Sequence, residues 1–119
     1  MEKNNEDCFD LNAVLASYSN LKQMTEEQLK SVNKLEESLF TRLQEGLLQI
    51  QPSEDVTLEI AELHKRWLCF YWQIYTYEAH EALSNMYLKD ERFQNYYDEK
   101  VGQGATNLLV TSIIFYVNR

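Results

Sequence analysis

Hydrophobic positions fall into helical registers along most of the chain. Leu29, Val32, Leu35, Leu39, Leu43, Leu47 and Ile50 recur every three or four residues, the spacing that lines one face of an α-helix. Just before them, Thr25-Glu26-Glu27-Gln28 reads as a capping box. Thr25 can accept from an early backbone N–H, Gln28 can reach back, and the two glutamates suit the positive end of the helix dipole. The pattern predicts a long helix over about Glu26–Gln49, with Gly46 loosening its last turns. Gln51-Pro52-Ser53 breaks it. Ser53, followed by Glu54 and Asp55, starts a second helix expected to run to about Ile74. At about 100° per residue, Ile60, Leu63, His64, Trp67, Tyr71, Ile74 and Tyr75 share one broad face, and Lys65, Arg66, Cys69 and Gln73 the other. From Trp67 to Trp72 the sequence is apolar almost all round, which marks this helix as central, or as facing a cavity or a partner.

Thr76 is the expected cap of a third helix over about Tyr77–Leu88, with Ala79, Leu83, Met86 and Tyr87 inward. Asp90 caps a short helix carrying Phe93, Tyr96 and Tyr97. Gly102-Gln103-Gly104 marks a break, and Leu108, Leu109, Ser112, Ile113 and Tyr116 belong to a last helix ending near Val117. Ahead of all these, Met1–Asp7 reads as frayed. Leu11, Val14, Leu15, Tyr18 and Leu21 repeat at helical spacing among Asn12, Ser17, Ser19 and Asn20, which weaken the helix. The organisation expected is a weak amphipathic segment over residues 1–24, read either as a docked helix or as a lid, and a helical ligand-binding domain over residues 25–119. The fold class is all-α: a compact bundle of five or six helices without strands.

Composition supports this class. Three glycines and one proline in 119 residues, with 45% hydrophobic content, suit a helical domain with one core. The net charge of −8 argues against direct binding to nucleic acid or to an anionic membrane surface. Cys8 and Cys69 make no spaced pair, which fits a reducing cytoplasm and provides neither a disulfide framework nor a zinc motif. The polar amino terminus is no secretory signal, and the apolar run Leu108–Val117 is too short to span a bilayer.

Candidate chemistry concentrates in His64–Asp98, which holds both tryptophans and both histidines. Rings with polar tips suit a ligand that is partly apolar and partly hydrogen-bonding, and the same rings at helical spacing also suit an ordinary core. His64 and Cys69, five apart on a helix, make a poor nucleophile–base pair, and an inert, at least half-buried cysteine is the plainer reading. The histidines and nearby carboxylates match no metal-ligand spacing, no haem-attachment motif is present, and no glycine-rich phosphate loop is present. The expectation is a binding protein, not an enzyme, with no metal and no cofactor.

The second half resembles the TipAS antibiotic-recognition domain, the ligand-binding part of TipA-like regulators in the MerR family. The resemblance is carried by His64, Trp67, Glu78, His80, Leu83, Met86-Tyr87, Asp90, Arg92-Phe93, Tyr97-Asp98 and the closing apolar helix, over roughly Pro52–Asn118. It implies a globin-like helical fold without haem, and a cleft for thiopeptide-type macrocycles or other bulky antibiotics. It also implies an amino-terminal part that orders over the ligand. Trp67, Tyr71, Tyr75, His80, Tyr87 and Phe93 are the expected cleft wall. His64, Asp90 and Asp98 could be caps or hydrogen-bond anchors, and Arg92 could pair with an acid. The sequence departs from the family in two respects. It contains no basic DNA-recognition segment, so a stand-alone module for sensing or sequestration is expected. Tyr75 stands where the characterised thiopeptide binder captures its ligand through a cysteine, with Cys69 six residues earlier. A second expectation is a helical interaction protein that forms a homodimer, or pairs with a DNA-binding subunit, through Trp67–Trp72.

Overall fold

The computed structural model describes residues 25–119. The segment 1–24, docked helix or lid, lies outside the described residues. Five helices follow: α1 (Glu26–Leu47), α2 (Glu54–Leu68), α3 (Tyr77–Lys89), α4 (Glu91–Lys100) and α5 (Ala105–Val117). They form a helical bundle with no strand among the described residues.

Each helix starts where the local chemistry allows a cap. In α1 the capping box is complete: Gln28 N–H donates to Thr25 Oγ1 at 3.1 Å, and Thr25 N–H donates to Gln28 Oε1 at 3.0 Å. Ser53 Oγ accepts from Val56 N–H and Thr76 Oγ1 from Ala79 N–H. Asp90 Oδ1 accepts from Arg92 N–H at 2.9 Å and also grips the Arg92 side chain, with Arg92 Nη2 2.7 Å from Asp90 Oδ2. This pairing holds the Asp90 carboxyl below its usual range. Helix α5 starts differently. Its N-cap, Gly104, has φ +94° and no side chain to offer, and Gly102 also has positive φ, at +148°. Such conformations suit only glycine. The missing acceptor comes from α4: Asp98 Oδ1 takes both the Thr106 N–H and, at the same 2.9 Å, the Thr106 hydroxyl. Asp90 and Asp98 are therefore caps, and Arg92 is paired with an acid, as the resemblance suggested.

The packing is centred on α5. It touches each of the other four helices and buries Ala105, Thr106, Leu109, Val110, Ser112, Ile113 and Tyr116. A helix apolar nearly all round belongs inside. Leu39, Leu43, Ile60, Leu83, Leu109 and Ile113 are at most 1% exposed. Each contributes roughly 1.5–3 kcal/mol of burial. Gly46 is the next-to-last residue of α1, and it is buried. A Cβ there would come within 2.7 Å of Leu108 Cδ2, so this glycine lets α1 approach α5 closely.

One helix is shorter than its hydrophobic pattern predicts. α2 stops at Leu68, not near Ile74. Cys69 is the C-cap, and the chain tightens through Phe70 N–H to Trp67 O (3.2 Å) and Tyr71 N–H to Leu68 O (2.8 Å). Tyr71 still enters the core at 8% exposure, but Ile74, predicted on the same face, is 65% exposed. Cys69 is exposed as well, not half-buried. The stretch Trp67–Trp72 is thus a helix end and a turn, and the centre of the bundle is α5.

Candidate functional site

Helices α2 and α3 bring two histidines together edge to edge. His64, nearly three turns into α2, and His80, in the first turn of α3, are both completely buried. His64 Nδ1 lies 2.9 Å from His80 Nε2. Their rings are within 11° of parallel with centroids 5.1 Å apart. That separation exceeds the nitrogen–nitrogen distance by about two ring radii, so the rings meet edge to edge and not face to face. The other nitrogens are also used. His64 Nε2 lies 3.1 Å from the Tyr87 hydroxyl, and His80 Nδ1 lies 2.6 Å from the Tyr75 hydroxyl. Four side chains from α2, the connecting turn and α3 thus form one hydrogen-bonded chain: Tyr87–His64–His80–Tyr75.

Both imidazoles are held neutral. Burial pushes His64 well below its ordinary value of 6.5, and the neighbouring His80 adds to this. Burial also pushes His80 down to about 3, with the Lys65 ammonium as the second cause. Burial raises the Tyr75 hydroxyl above its ordinary value of 10, helped by Tyr116, Tyr77, Cys69 and Glu62 nearby. Among the described residues no carboxylate is hydrogen-bonded to either histidine, so none of them compensates a charge placed there.

All six predicted wall residues connect through this chain. Trp67 and Tyr71 meet at 4.9 Å between centroids, and Trp67 meets His64 at 5.7 Å. Tyr87 stands edge-on to His64 at 5.7 Å and packs on Phe93 at 4.8 Å. Tyr75 stands edge-on to His80 at 5.3 Å. Trp67, Tyr71, His80, Tyr87 and Phe93 are buried, and Tyr75 is half-buried. The residue left out of the predicted wall is His64, which joins its parts. The sequence did carry a signal for it: His64 and Trp67 are three apart on one face of a helix.

A second polar group lies against the Tyr75 end. Tyr116 of α5 donates its hydroxyl to Glu62 Oε2 at 2.7 Å. Lys65 Nζ donates to the same hydroxyl at 3.4 Å and sits 4.9 Å from the Tyr75 ring centroid. Tyr77, about half exposed, stands edge-on to Tyr116 at 5.8 Å. A separate groove of about 350 Å³ lies between α1 and α2. It is lined mainly by polar side chains, with Arg42 between Glu45 and Glu59, and none of the six predicted residues borders it. Among the described residues, no group of three His, Cys, Asp or Glu side chains is arranged to hold a metal ion. No helix there is long and apolar enough to cross a membrane.

The fold is an all-α bundle with a connected string of aromatic and histidine side chains. The profile of the TipAS antibiotic-recognition domain matches residues 5–116. The chain belongs to that family and is an antibiotic-recognition ligand-binding module. The comparisons with curated proteins and with solved structures give no match.

Proposed function

We propose that this domain binds a bulky, partly apolar antibiotic of thiopeptide type for sensing or sequestration, without chemical turnover. Membership of the antibiotic-recognition family over residues 5–116 carries the reading. The string from Tyr71 through Trp67, His64 and Tyr87 to Phe93 supports it, because it supplies aromatic surface with polar tips in one place. Tyr75 offers a hydroxyl where the characterised binder has its thiol, so binding here is non-covalent. In a sensor, the ligand acts by favouring one conformation of the module, and a DNA-binding partner of the MerR type reads that change in the cytoplasm.

The rival reading, self-association through an aromatic helix, is weakened by the shape of that stretch. Trp67, Leu68 and Tyr71 are buried within the chain. The test is a thermal-shift series with thiopeptides and other bulky antibiotics. At ligand 100-fold above Kd the domain gains about 2.7 kcal/mol, a rise in Tm of roughly 10 °C. A panel that leaves Tm unmoved refutes the proposal.

A further inference from the structure

We draw no further inference here: the strongest candidate, the exposed apolar surface patch that Leu48 and Ile50 form on the turn between α1 and α2, carries nothing, because nothing among the described residues shows what covers it.

Discussion

Lowering the pH from 7.5 to 5 is expected to destabilise this domain steeply, in a range where most carboxylates have not yet titrated. His80 is pushed to about 3 in the folded chain against an ordinary 6.5, and His64 shifts in the same direction. A histidine whose folded value is depressed binds its proton more readily when unfolded. Its stabilising effect is therefore complete above about pH 6.5 and is lost as the pH falls towards 3. At pH 5 His80 has lost about 2 kcal/mol, and His64 moves the balance in the same direction. Total stability for a domain of this size is of order 5–15 kcal/mol, so the change is large. The physical cause is burial with no carboxylate partner among the described residues, together with the 2.9 Å contact that leaves no room for a fully charged pair. Urea unfolding followed by Trp67 and Trp72 fluorescence at pH 7.5, 6 and 5 reads the effect as a falling midpoint. His80→Gln removes one titration and should make the fall in the midpoint shallower. A midpoint that stays level between pH 7.5 and 5 in the parent chain would refute the reasoning, since it would mean that the folded histidines titrate as they do in the unfolded chain.

Two further outcomes test the frame that holds the site. Leu109 is fully buried on the helix that touches every other, so Leu109→Ala should cost about 2–5 kcal/mol, read from urea midpoints at pH 7.5. Asp98→Ala leaves the start of α5 without its borrowed acceptor. It should cost about 0.5–2 kcal/mol, whereas alanine at the neighbouring exposed Glu99, for which no comparable cap is seen, should stay within about 0.5 kcal/mol of the parent.

What the sequence determined by itself was local. Thr25, Ser53, Thr76 and Asp90 each begin a helix because a short side-chain acceptor can reach an N–H two or three residues ahead, an interaction closed within one turn. The stripe from Val32 to Leu43 marked a buried face because period 3.6 is a property of the chain alone. The aromatic and histidine residues of the second half carried the family, and they do form one connected group. Tertiary structure decided the rest. No glycine or proline lies between Leu68 and Thr76, so nothing local announced that α2 would stop at Leu68, where the turn buries Tyr71 and brings Tyr75 to His80. The glycine-capped start of α5 depends on Asp98, eight residues before Thr106 and on another helix. The meeting of His64 and His80 joins positions sixteen apart. Helical spacing could place each histidine on an inner face, but only the packing of α2 and α3 on α5 could set two of their nitrogens at hydrogen-bond distance.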